Sequence, residues 1–354
     1  MKTTAGRLRR LLIGESGWQL AIALVAVLTV LAAVGDSVFA SYVLDSCLLA
    51  CIGAIGLNLL MGTAGQASIG TAAFLAVGGF VAAGLQRAGV AFPIAIVAAG
   101  AGAGIAGFLA GLPSLRLRGL YLALSTIATY YIVMFFADRY QAHTVGSLGF
   151  VLPPLFGGYS IIWQERYWAL LLGTSTVITI CVVAAVSGGK TGRALRMIRD
   201  HDIAAAAIGI SARRYKLGAF AFSSFVIGIA GGLAAYFVGS VSTDNYPFSV
   251  SVQYIAMILL GGVDSILGAV IGAAVVSCLP SVLPQMLGSI LGQSATTYGS
   301  EVAEILYGVI VIVFITRAPG GLVGLLSRRP SKRLARKLLE PAPAPVGTEA
   351  ESTP

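Results

Sequence analysis

The sequence predicts an all-α polytopic membrane protein with about ten transmembrane helices, some of them discontinuous, and cytoplasmic termini. Three observations carry this. The 354 residues are 57% hydrophobic and only 10% charged, and the mean hydropathy is +0.90. A soluble core of this length cannot cover itself with so few charges. The apolar residues fall into runs near the roughly 20 residues that a bilayer requires. Finally, 45 glycines suit helices that pack closely in lipid.

The apolar runs lie at residues 18–38, 41–61, 68–86, 90–112, 119–137, 167–187, 217–239, 249–262, 265–283 and 301–316. The eighth is short. The first, preceded by Arg7, Arg9 and Arg10 and ending near Val38-Phe39-Ala40, reads either as a cleaved signal or as a retained signal anchor. Its length favours the anchor. Charge sets the orientation. With ten spans, one set of loops carries twenty of the 23 Lys and Arg residues, and the other carries only Arg87, Arg139 and Arg166. The basic side is cytoplasmic. The net charge of +9 is therefore a topology signal, with no nucleic-acid partner implied. The chain divides into a basic cytoplasmic N-terminus (1–17), a transmembrane domain (18–316) with a large cytoplasmic loop at 188–216, and a cytoplasmic tail (317–354). The tail begins as RRPSKRLARKLL, suited to anionic lipid headgroups. It ends as PAPAPVGTEAESTP, a composition that stays disordered.

Most enzymatic chemistry is excluded. Cys47 and Cys51 sit one helical turn apart in an apolar run, and Cys181 and Cys278 stand alone in theirs, so packing is the expected role. His143 and His201 are too isolated for a metal cluster. The string GGKT at Lys190 and Thr191 lacks the first glycine of a phosphate loop, with Ala184 in its place, and follows a membrane run rather than a strand. No catalytic residues, cofactor or metal are expected in this chain.

The longest polar stretch inside this sequence is Gly192 to Lys216, GRALRMIRDHDIAAAAIGISARRYK. Asp200 and Asp202 suit the start of a short helix. Ala204, Ala205, Ala206 and Ala207 propagate it, and Gly209 ends it in a left-handed turn. Such a helix presents a small, smooth knob to the groove of a soluble partner. The surrounding Arg193, Arg196, Arg199, Arg213 and Arg214 would meet an acidic rim. The plainer alternative is a solvated basic loop held by headgroups.

Two interruptions divide apolar runs. In GTAGQASIG (Gly62 to Gly70), glycine and hydroxyl residues free backbone groups that a membrane tolerates only inside protein or along a cavity. Asn58, Gln66, Ser68 and Thr71 then line a passage, or the segment is a short cytoplasmic turn. In LGGVDSILG (Leu260 to Gly268), Asp264 and Ser265 stand between two half-length runs. Asp264 is either a functional intramembrane acid or the N-cap of the following helix, and the N-cap reading is slightly favoured. Asp45 reads as an outer-interface residue. Glu301 and Glu304 read as helix-start acids. Gly100, Gly104, Gly107 and Gly111, with Gly268 and Gly272, read as helix-packing positions.

Five segments in order resemble the permeases of high-affinity branched-chain amino acid ABC transporters, the LivH/LivM family, its LivM branch most closely. They are Gly56 to Ala83, Leu112 to Ala128, the loop and run beginning at Gly192, Ile258 to Val275, and Arg317 to Leu326. The likeness covers about residues 40–326. The stretch His143 to Phe150, HTVGSLGF, departs from the usual Gly/Asn-rich form. The resemblance implies a permease subunit of the bacterial inner membrane, paired with a second, LivH-like permease. It also implies two cytoplasmic ATPases holding ATP and Mg, and an extracytoplasmic solute-binding protein. The coupling-loop role falls on Asp200 to Gly209. Import by alternating access is expected, with branched-chain amino acids as cargo or, in relatives, urea, short amides or aromatic acids. The competing class is a stand-alone channel or secondary transporter, for which Asp45 and Asp264 are the available ionisable groups.

Overall fold

The computed structural model describes residues 17–34, 37–117, 119–146, 149–156 and 161–291, and a few positions between 308 and 322. The basic N-terminus, most of the final run at 301–316, Glu301, Glu304 and most of the tail lie outside the described residues.

The described chain is a helical bundle. Its elements are α1 (Gly17–Val34), α2 (Val38–Asn58), α3 (Thr71–Arg87), α4 (Phe92–Ser114), α5 (Leu120–Thr144), α6 (Ile161–Gly188), α7 (Lys190–Asp200), α8 (Asp202–Ala207), α9 (Ala212–Val238), α10 (Phe248–Gly261) and α11 (Ile266–Leu291). A π-helical turn, Leu59–Thr63, extends α2. Two short strands, β1 (Phe150–Val151) and β2 (Ser240–Val241), pair antiparallel.

Among the described residues, five helical stretches are long and apolar enough to cross a membrane. They are Val38–Thr63, Phe92–Ser114, Tyr121–Thr144, Arg166–Gly188 and Ala212–Val238. The shorter apolar helices Trp18–Ala32, Thr71–Arg87 and Ile266–Val282 match three more of the runs in the sequence. The eighth run folds as the 14-residue α10, about 21 Å long, well short of the roughly 30 Å hydrocarbon layer.

Glycine decides how these helices meet. In lipid the bundle is held by close packing rather than by hydrophobic transfer. Helix α9 lies at the centre, against α2, α3 and α4. A Cβ on Gly78 of α3 would collide with the backbone of Gly228 on α9, and one on Gly228 would collide with Ala103 on α4. Gly100, Gly104, Gly107 and Gly111 of α4 face Phe220, Ser224 and Phe225 of α9, which gives the small-residue spacing its partner. Gly268 and Gly272 of α11 likewise abut Met257 and Gly261 of α10. Helix α6 packs on α1 and α2, and α11 on α2.

Two single residues gain neighbours in the fold. Asp45 is fully buried within α2. It stands seven residues past Val38, about 10 Å along the helix, where neighbouring helices enclose it. Cys278, alone in its own run, meets a cysteine of another helix. Its Sγ lies 2.8 Å from that of Cys47 across the α2–α11 contact, because those two helices run side by side.

The α9 crossing generates the first prediction. Gly228→Val should destabilise the purified subunit by about 1–3 kcal/mol through overpacking, read as a lowered midpoint in a detergent thermal-unfolding assay. Gly218→Ala, where a Cβ meets nothing within 4 Å, should leave the midpoint unchanged.

Candidate functional site: the coupling loop and the helix breaks

The long polar loop folds into two helices. α7 is amphipathic because Ala194, Leu195 and Ile198 share one face and are buried, while Arg193 and Met197 are exposed. Leu195 joins a small cluster with Leu60, Ala64, Leu122, Ala219 and Phe220, which seats the loop against the bundle. Helix α8 follows after His201. It closes with Gly209 at φ +82°, where Gly209 N donates to Ala206 O (3.0 Å) and Ile210 N donates to Ala205 O (3.0 Å). This is a left-handed helix end of the kind glycine permits. The first acids do not cap it: His201 occupies the N-cap position without a side-chain bond. Asp200 instead accepts from Arg199 Nε at 3.1 Å, and Asp202 pairs with Lys216 Nζ at 3.4 Å. The second pair ties α8 to α9.

Ala205 is fully buried and faces the bundle. Ala204, Ala206, Ala207 and Gly209 are exposed. So are two residues that composition alone had not singled out, Ile203 at 88% and Ile208 at 65%. The exposed surface of α8 is therefore apolar, unusual for a loop surrounded by arginines. Arg193, Arg213 and Arg214 are exposed around it. Arg196 turns inward, its Nη2 donating to Ser187 O at 2.8 Å, so it is not part of the rim.

The two helix breaks come together beside this loop. Asn58, 4% exposed, bridges them: its Nδ2 donates to Ser265 O (3.1 Å) and its Oδ1 accepts from Asp264 N (3.1 Å). Thr63 Oγ1 donates to Asp264 Oδ1 at 3.3 Å. Arg199 Nη1 reaches Asp264 Oδ2 at 3.0 Å and also donates to Gly62 O. Burial lowers the pKa of the Arg199 guanidinium, but hydrogen bonds to Asp264 and Asp200 outweigh this and leave it raised. Gly65, at φ +65°, lies under the Arg199 stem where any Cβ would strike Cγ. Asp264 holds φ +70°, a conformation that short polar side chains tolerate. It is not the N-cap of α11. That position belongs to Ser265, whose Oγ accepts from Gly268 N at 3.1 Å. Gly321, from the Arg317 to Leu326 segment, packs directly on Gly261 and Gly262.

From this junction the chain at 64–70 climbs into the bundle. Ile69 N donates to Thr126 Oγ1 (2.9 Å) and Ala72 N to Ser251 Oγ (2.9 Å). Thr126 is about 9 Å along α5 from its start, and Ser251 about 15 Å along α10 from Gly261. Gln66, Ser68 and Thr71 are 3%, 1% and 0% exposed. Their side-chain polar atoms have no hydrogen-bond partner among the described residues. The six polar residues singled out in the sequence thus separate into two groups. Asn58, Asp264 and Ser265 build the junction, and Gln66, Ser68 and Thr71 lie along the climbing segment. A separate groove of about 470 Å³ between α3 and α5 is lined by Val77, Phe80, Val81, Leu85, Val133 and Phe136 among others, an apolar surface with little to offer a polar solute. Among the described residues no group of three or more His, Cys, Asp or Glu is placed to hold a metal.

All five of the ordered segments noted in the sequence contribute to this one end of the molecule. Gly62 and Ala64 come from the first, Leu122 from the second, Leu195 and Arg199 from the third, Asp264 from the fourth and Gly321 from the fifth. Residues 39–315 match the family described as branched-chain amino acid transport system / permease component. The chain belongs to that family. It is 33% identical over 239 residues to the high-affinity branched-chain amino acid transport system permease protein LivM of Escherichia coli (strain K12), covering 60% of this chain and 56% of the relative. It is 32% identical over a stretch of the same length to the LivM protein of Salmonella typhimurium. The chain thus spans about half the length of the curated relatives it matches. No solved structure matches it. These relatives are named as transport components, not enzymes.

The junction gives a second prediction. Asn58→Leu strips a partner from Asp264 N and from Ser265 O, and should cost about 2–4 kcal/mol, because buried polar groups left unmade cost about 1–3 kcal/mol each. Asn58→Asp, which sets a buried carboxylate against the Ser265 carbonyl and beside Asp264, should cost at least as much. Thermal unfolding of the two purified variants measures the difference.

Proposed function

We propose that this chain is the membrane-spanning permease subunit of an ABC importer in the bacterial inner membrane. It translocates branched-chain amino acids or related small polar solutes by alternating access. The work is driven by two cytoplasmic ATPase subunits, which hold the ATP and Mg. A second, LivH-like permease completes the passage, and an extracytoplasmic binding protein delivers the solute. Family membership supports the transport role, and the names of the relatives support the cargo.

The observation that carries the reading is α8. Ile203, Ala204, Ala206, Ala207 and Ile208 form an exposed apolar knob on the basic side of the sequence, and the knob is braced from behind by Ala205 and by Lys216. Exposed apolar area of this kind at the edge of a membrane protein calls for a soluble partner's groove. Arg193, Arg213 and Arg214 would pair with that groove's acidic edge and speed the encounter.

The passage follows the climbing segment. Gln66, Ser68 and Thr71 are neutral, enclosed and without protein partners among the described residues. Buried polar groups of this sort demand a reason. A carboxamide and two hydroxyls can exchange hydrogen bonds with the ammonium and carboxylate of an amino acid in transit, without the tight hold that a fixed charge would impose. Selectivity then rests with the binding protein, and the permease supplies a weak, polar route.

ATP hydrolysis by the affinity-purified complex tests this. Ala206→Asp places a desolvated charge in the centre of the α8 contact and should strip the ATPases from the complex. Substrate-stimulated hydrolysis should fall at least about tenfold, since an uncompensated buried charge at an interface costs several kcal/mol. Retained ATPases and normal hydrolysis in this variant would refute the docking assignment. Transport by the isolated chain in liposomes without ATP would refute the importer reading itself.

A further inference from the structure

Arg199 stands apart from the other arginines of the loop. Arg193, Arg213 and Arg214 point to solvent, whereas the guanidinium of Arg199 is spent inside the subunit. One nitrogen, Nη1, bonds both Gly62 O and Asp264 Oδ2. Those two acceptors belong to the two different helix breaks, the π turn ending α2 and the turn between α10 and α11. Its stem lies on Gly65, at the foot of the segment bearing Gln66, Ser68 and Thr71. The acceptors are fixed in turn, Asp264 by Thr63 and by Asn58. On the other side, Arg199 is the penultimate residue of α7, three positions before α8 begins.

An ion pair with both side chains about one third exposed, 31% and 32%, contributes little to stability. Its worth is geometric. One guanidinium nitrogen shared by two acceptors ties the two breaks to the same side chain. The loop is already anchored by the Leu195 cluster and the Asp202–Lys216 pair, so Arg199 is not needed to hold the loop down. It joins the loop to the α10–α11 turn, which those anchors do not touch, and adds a polar bond to the π turn that the Leu195 cluster already meets at Leu60 and Ala64.

We infer that Arg199 is the positioning residue that carries displacement of the coupling loop into both helix breaks at once, acting through Asp264 and the Gly62 carbonyl. The inference rests on the reading that α8 receives the ATPases. In this arrangement α7, the end of α2 and the α10–α11 turn shift together. The segment at 64–71 is drawn or released from its foot at Gly65, changing the passage that Gln66, Ser68 and Thr71 line. A hydrogen-bonded ion pair suits this because it keeps its partners at one spacing while they shift together.

The test uses the whole complex in proteoliposomes, with loaded binding protein, and measures solute moved per ATP hydrolysed. Arg199→Gln and Asp264→Asn keep size and, at position 264, tolerance of positive φ. Both variants should retain the ATPases on purification and hydrolyse ATP within about twofold of the parent, while solute per ATP falls about tenfold, within the usual range of coupling between sites. The double variant should be no worse than the poorer single one, because both remove the same link. Arg199→Lys should recover part of the loss. An unchanged ratio overturns the inference. So does a parallel fall of hydrolysis and transport, an additive loss in the double variant, or loss of the ATPases from Arg199→Gln, which would make Arg199 a docking residue. Ala206→Asp separates the two ideas: if that variant keeps its ATPases, the docking reading fails whatever Arg199 does.

Discussion

A helix that stops inside a membrane protein leaves carbonyl and amide groups that lipid cannot satisfy, so protein must satisfy them. In this subunit α2 and α10 both stop at the same end, and each end satisfies the other. Asn58 from one break bonds the backbone of the other on two sides, Thr63 takes the Asp264 carboxylate, and Arg199 takes the Gly62 carbonyl. The rest of the architecture follows from this mutual repair. It fixes where α7 must lie, requires small residues at Gly62 and Gly65, and sets the starting point of the segment that rises past Thr126 to Ser251. The same junction also receives Gly321 from the far end of the chain.

The interior of the bundle is a different problem with a different solution. Its helices have no hydrophobic incentive to associate in lipid, so close backbone approach must supply the attraction. Glycines on α3, α4 and α9 bring those three helices together around Gly228. One end of the molecule is thus knitted by polar bonds, and the middle by close backbone packing.

Much of this was legible in the sequence. The apolar runs and the charge bias gave the helices and the basic side, because hydropathy and loop charge act locally and leave local traces. Gly209 was readable as a helix end because glycine's freedom at positive φ is intrinsic to the residue. The breaks were visible as glycine and hydroxyl clusters. Their mutual contact was not, since Asn58 and Asp264 lie more than two hundred positions apart and neither carries a local mark of the other. Asp264 misled for the same reason. Locally it looks like an N-cap, and the neighbouring Ser265 takes that role once Arg199 claims the carboxylate. The α7 helix could have been found from Ala194, Leu195 and Ile198 recurring at helical spacing within KTGRALRMIRD, a signal hidden by the surrounding arginines. The full burial of Asp45 was not legible either, because position along a helix does not tell which neighbours cover it.

The central claim is that the α7–α8 loop and the α10–α11 turn form one mechanical unit. It is tested most directly by electron-spin distance measurement between labels at Met197 and Val263, both exposed, in a background with the native cysteines replaced. The complex would be held nucleotide-free, with ATP trapped, and after hydrolysis. The account predicts one narrow distance distribution that does not change among the three states, even as labels placed across the bundle report movement. A distance that shifts by several ångströms on ATP binding would contradict it.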